Sequence, residues 1–205
     1  FSMLHIHDHY KSVTAYLHSA SLYRTALIIA ILMVVLQYFQ DELMYQRDAI
    51  AKGQWWRLWT GNFVHTNHWH LVLNLAGYGL VMQFAKPWLN SKHLLFSISW
   101  LATCVGLGLW WFSPTVAWYM GFSGILYGLF LLVGFYSLLH KDWVLALLIL
   151  GGICGKTWWD SLHAGNSLSS ELINAPVVYA AHLYGMIGAL CLVFVWFRHL
   201  RSPPL

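Results

Sequence analysis

The stretch "GFSGILYGLFLLVGFYSLL", residues 121–139, carries no charged side chain. A run that long and that oily does not suit a helix facing water on any side, which confines the chain to very few folds. Five further apolar segments accompany it, so that six run approximately over 24–40, 69–86, 93–112, 121–139, 142–156 and 176–197. A helix needs about 20 mostly apolar residues to cross the hydrocarbon core, and the second and fifth segments fall short of this. Flanking Trp and Tyr at the interface extend them. Only 9% of the 205 residues are charged, against about 25% in soluble domains. The expected fold class is therefore an all-α membrane protein, a bundle of six transmembrane helices in a lipid bilayer.

The division this predicts is an N-terminal segment over 1–23, a six-helix domain over 24–197 and a C-terminal tail over 198–205. No cleavable signal peptide is expected, because a mostly polar stretch precedes the first apolar run, which reads as a signal anchor. With six spans, one side of the membrane holds Lys11, Arg24, Lys86, Lys92, Lys141, Arg198 and Arg201, and the other only Arg47, Lys52, Arg57 and Lys156. The positive-inside rule then makes both termini cytoplasmic and turns the connections over 41–68 and 157–175 outward. Lys and Arg are scattered without a basic run, so no nucleic-acid partner is expected. Cys104, Cys154 and Cys191 lie in apolar surroundings without CxxC spacing and read as small packing residues. The loop "DELMYQRDAIAKGQWWRLWTGNFVHTN" is too aromatic for a solvated linker and reads as interfacial. The one containing "HAGNSLSSELINAP" reads as a lid.

Polar groups inside a membrane are costly and each asks for a reason. "HTNHWHLVLNL" puts His70 and Asn74 four residues apart on one helix face, and Ser123 and Tyr127 share that spacing in the fourth segment. His182 stands in the sixth. Gly124 and Gly128, and separately Ala181, Gly185 and Ala189, form small-residue stripes of the sort that lets helix backbones approach closely. Were those faces to touch, Ser123 and His182 would come within hydrogen-bonding reach, a nucleophile beside its base. His70, Asn74 and the Ser123 N–H would be placed to supply donors to a developing oxyanion. No Asp or Glu lies near the centre of a predicted span, so a dyad rather than a triad is expected. "GFSGI" is no GxSxG elbow, since Ile125 stands where the second glycine is required.

Plainer readings stand beside these. "GFSG" alone is a packing motif, His182 alone a core histidine on a carbonyl, His70 and Asn74 alone interfacial groups, and Tyr127 alone an aromatic filler. The spacing of His65, His68 and His70 matches no zinc pattern, and no metal or other cofactor is expected. His65, Asn67 and His68 are expected at a polar outer mouth that admits water. A haem- or ion-binding bundle using His70 and His182 is a further alternative.

Taken together, His70 and Asn74, then Gly121-Phe122-Ser123-Gly124 with Tyr127, then Ala181-His182 with Gly185, resemble the rhomboid intramembrane serine proteases. "WWR" at residues 55–57, followed by His65, His70 and Asn74, is similar to that family's first loop and second helix. The resemblance runs from about 24 to 197. It implies Ser123 as nucleophile, His182 as base, an oxyanion site of His70, Asn74 and the Ser123 N–H, and Tyr127 packed on the His182 ring. It also implies supporting roles for Gly121, Gly124, Ala181, Gly185, Arg57 and His65, an active site opening to the outer face, and a fifth loop capping it. Ala189 departs from the family, which often has glycine there. The short six-helix form and "GQWWRLWTG" resemble the bacterial rhombosortases in particular, which implies an inner-membrane enzyme. Its partner would be a single-span membrane protein whose C-terminal Gly-Gly-type anchor it removes. The alternative within this family is a non-catalytic relative that binds membrane helices.

Overall fold

A computed structural model describes residues 2–163 and 167–201. Six long helices dominate it, named here α1 (Ser2–Leu36), α2 (His68–Ala85), α3 (Ser91–Phe112), α4 (Ser123–Leu139), α5 (Trp143–Leu162) and α6 (Tyr179–Leu200). Among the described residues, Ser19–Leu43, Ser91–Phe112 and Tyr179–Trp196 are long and apolar enough to cross a membrane, and Ser123–Leu139 is a shorter apolar helix. The starts of α2, α3 and α5 are chemically marked. The side chains of Asn67, Asn90 and Asp142 accept from the backbone N–H groups of His70, His93 and Leu145, satisfying donors that a helix leaves open at its N-terminus.

Two boundaries differ from the sequence reading. The first helix begins at Ser2 rather than near residue 24, because no Gly or Pro interrupts residues 2–23. The fifth continues past Lys156 to Leu162, so the expected outward loop over 157–175 opens with helix and contains a second short one, Leu168–Ile173. Lys156 and Asp160 offset each other one turn apart, which lets two charges stay in the helix. Residues 164–166 of that loop and 202–205 of the expected tail lie outside the described residues.

α4 is the most enclosed element, packed among α2, α3, α5 and α6. The outward faces are apolar instead: Leu27, Leu147 and Phe194 are 60%, 75% and 88% exposed, the arrangement expected where the solvent is lipid. The α4–α6 contact needs its small residues. A side-chain carbon on Gly124 would sit 2.9 Å from the Ala181 carbonyl oxygen, and one on Gly128 2.8 Å from that of Gly185.

The first loop is tied down rather than free. Tyr45–Gln46 (β1) pairs antiparallel with Trp118–Tyr119 (β2), matching Tyr45 to Tyr119. Arg47 donates to the carbonyls of Leu109, Trp110, Ser113 and Val116, placing a cation on the open C-terminal end of α3. Arg57 is buried and binds the Asp41 and Met44 carbonyls at 2.8 and 2.9 Å and Gln54 Oε1 at 2.6 Å. Its contacts hold the loop's shape, and none reaches Ser123. Gly121 N–H donates to Gly61 O, which joins this loop to the residues just before α4.

Candidate active site

Ser123 is the first residue of α4, and the residue before it, Phe122, makes no side-chain cap to the helix end. Gly121, two residues earlier, has φ +133°, a conformation that favours glycine, and an added carbon there would lie 2.8 Å from His70 Nε2. The tight turn thus brings the start of α4 against the His70 ring. Across the small-residue contact, His182 Nε2 lies 3.0 Å from Ser123 Oγ. The Tyr127 ring, one turn further along α4, stacks on the imidazole with centroids 4.0 Å apart and planes 4° apart. His182 Nδ1 has no hydrogen-bond partner among the described residues. A serine hydroxyl held this way can pass its proton to the imidazole as its oxygen attacks a carbonyl.

His70 and Asn74 occupy the first turns of α2, facing the same space. Asn74 spends one amide N–H on the His70 carbonyl at 3.0 Å and keeps a second. Two hollows border Ser123. One, of about 30 Å³, is bounded by Thr66, His70, Ile173 and His182; the other, of about 230 Å³, by Asn74, Tyr127, Phe130, Lys156 and Val177. Ala181 and Gly185 contribute backbone at the α4 contact rather than chemistry.

His65 is not at the mouth where the sequence placed it. It is fully buried, its ring edge-on to His70 at 5.1 Å between centroids, and neither ring nitrogen has a partner among the described residues. Gln37 holds its backbone in a two-way bond, receiving the His65 N–H at 2.9 Å and donating to its carbonyl at 2.6 Å, and this turns the ring inward. Burial, with a smaller contribution from His70, lowers the His65 pKa to about 3. Because the folded value lies below the ordinary 6.5, His65 favours the folded state fully above pH 6.5 and loses that contribution as pH falls toward 3. The expected result is that His65→Leu flattens thermal stability between pH 7 and pH 4 in detergent micelles. The wild type should be steeper by up to about 1.4 kcal/mol per pH unit. Equal slopes would remove His65 from the account.

The sequence reading did not single out the ion pair facing the larger hollow. Lys156 donates to both carboxylate oxygens of Asp160, at 2.6 Å to Oδ2, and Asp160 is 1% exposed against 39% for the lysine side chain. The i, i+4 spacing was its available signal. Lys156→Met leaves a buried carboxylate unpaired and should cost about 3 kcal/mol, the low end for a pair whose lysine is partly exposed, while Lys156→Met with Asp160→Leu recovers most of it. Melting temperatures of the three proteins check this.

A bundle of helices with apolar outward faces describes a multi-pass membrane protein, and within it lies a serine–histidine contact. The chain belongs to the rhomboid family: the rhomboid domain matches residues 52–199. A Bacillus subtilis (strain 168) protein described as "Putative rhomboid protease YdcA" is similar, 24% identical over 157 residues that cover 77% of this chain and 75% of that one.

Proposed function

We propose that the protein is an intramembrane serine endopeptidase that works with a Ser123–His182 dyad. The observation that carries this reading is the 3.0 Å contact of Ser123 Oγ with His182 Nε2, in a cavity also lined by His70. As Oγ attacks the scissile carbonyl carbon, its proton passes to His182 Nε2 and the carbonyl oxygen becomes an oxyanion. His70, the free N–H of Asn74 and the Ser123 N–H stabilise that charge. Collapse breaks the C–N bond, and His182 gives its proton to the departing amine. The acyl group left on Ser123 is released by water, which His182 deprotonates in turn. Tyr127 keeps the imidazole facing the serine throughout. Among the described residues His182 Nδ1 has no partner and Asp160 is engaged by Lys156, which supports a dyad rather than a triad.

The six long helices are read as six spans, with residues 1–23 and 198–205 on the cytoplasmic side of a bacterial inner membrane. The domain over 24–197 would then open its site to the periplasm. The substrate is a single-span membrane protein, cut where small residues weaken its helix, since a carbonyl must leave its own helical hydrogen bond before attack. Within the family the reading extends to the rhombosortases, so that the bond cut frees a C-terminal Gly-Gly-type anchor. Co-expression with a tagged single-span protein ending in Gly-Gly, helix and basic tail tests the substrate class. The expected result is a shortened product whose C-terminal mass maps beside the glycines. An intact substrate, with other single-span proteins cut, would reject the anchor reading and keep the protease.

A further inference from the structure

The hollow of about 230 Å³ beside Ser123 has mostly apolar walls, with Leu73, Leu126, Phe130 and Val177 among them, yet Lys156 borders it too. Among the described residues that line it, no carboxylate, arginine or second lysine accompanies Lys156. Ionisable groups within a membrane are costly and each asks for a reason. Stability does not supply one for Lys156 and Asp160, because apolar residues of similar volume in place of a buried ion pair are often neutral or stabilising. The pair has a closed end and an open end. Asp160 is 1% exposed and both its oxygens accept from the same ammonium, whereas the lysine side chain is 39% exposed. An ammonium has three hydrogens, and Asp160 occupies two. The third is left as a charge-assisted donor, stronger than a neutral one, at the wall of the hollow.

A polypeptide entering this hollow needs such a donor. A substrate helix that unwinds for cleavage frees carbonyls from their own helical hydrogen bonds, and each one left bare away from water is costly. In the proposed reaction His70, Asn74 and the Ser123 N–H are committed to the one carbonyl under attack. A neighbouring carbonyl, displaced to the Lys156 side of Ser123, finds the third ammonium hydrogen. A substrate carboxylate is the poorer occupant, since it would be the second anion on a single ammonium and would lie close to Asp160.

We propose that Lys156 is a substrate-binding residue that donates its third ammonium hydrogen to a main-chain carbonyl of the unwound substrate, while Asp160 anchors the ammonium at the wall of the hollow. This rests on the reading of the protein as an intramembrane endopeptidase and adds how the hollow holds a substrate without reading its side chains. The experiment is binding of a fluorescent single-span peptide free of Asp and Glu to the full chain in micelles. A Ser123→Ala parent is used so that the peptide is not turned over. Lys156→Met with Asp160→Leu, placed in that parent, removes the donor and its anchor together and leaves no buried charge unpaired. It should bind about tenfold weaker or more, the effect of one hydrogen bond to a charged group, at a melting temperature near the parent's. Lys156→Met with Asp160→Asn, which keeps the volume at 160, serves the same comparison. With Ser123 restored, the double variant should lose kcat/KM through a higher KM and keep its kcat. A pair that does no more than stabilise α5 leaves binding unchanged in a folded double variant. Equal binding, no binding by the parent, or a loss confined to peptides that carry Asp or Glu would overturn the proposal. If the chain with Ser123 in place neither cuts a substrate nor reacts with a fluorophosphonate, the protease reading falls instead, and the binding comparison still decides Lys156.

Discussion

Ser123→Ala should lower cleavage of a single-span substrate by about four orders of magnitude or more, and His182→Ala should come close to the same loss. The two act as a unit. Without the hydroxyl there is nothing for the imidazole to deprotonate, and without the imidazole the hydroxyl at 3.0 Å keeps its proton. The double variant should therefore be scarcely worse than either single one, because the losses do not add. Ser123→Ala removes one hydrogen bond, worth about 1 kcal/mol, whereas His182→Ala also removes the buried ring stacked on Tyr127 and should lower the melting temperature further. Initial rates of substrate cleavage in micelles, read beside melting temperatures, check both halves of the expectation. Additive losses would mean that the two residues do not share a step.

Gly185→Val should be the most damaging packing change. A side-chain carbon at Gly185 collides with the Gly124 carbonyl oxygen and would lie 2.8 Å from the carbonyl carbon, both backbone atoms with no room to give. Overpacking of this sort costs about 1–3 kcal/mol, and valine's extra methyl groups put it at the upper end. The larger effect is on geometry. Pushing α6 from α4 carries His182 away from Ser123, so activity should vanish even in protein that remains folded. Gly151→Ala and Gly152→Ala on α5 are the controls, because a carbon added at either meets nothing within 4 Å. Both should be neutral or slightly stabilising, by about 0.5–1 kcal/mol. Melting temperature and cleavage rate, measured together, separate the packing cost from the displaced dyad.

Much of the architecture was legible because the bilayer imposes a simple code of long apolar runs. The segments expected over 69–86 and 93–112 fall within a few residues of His68–Ala85 and Ser91–Phe112. The fifth was cut short at Lys156 because a charge reads as the end of a span, and only the fold shows Asp160 offsetting it one turn on. The stripes of Gly124 with Gly128 and Ala181 with Gly185 were legible as surfaces for close approach, and their chains do meet. His65 was not legible. A histidine two residues before a helix cap can point either way, and the Gln37 bonds that turn it inward join residues 28 apart. The contacts of Thr66 were hidden for the same reason. Its spacing to His70 is local, but its second partner, Ile173, lies 107 residues away.

The most direct measurement is reaction of the protein in its membrane with a fluorophosphonate probe, followed by mass mapping of the modified peptide. One adduct is expected, on Ser123, formed by the wild type and lost in His182→Ala. An adduct on another residue, none at all, or equal labelling of Ser123 without His182 would contradict it.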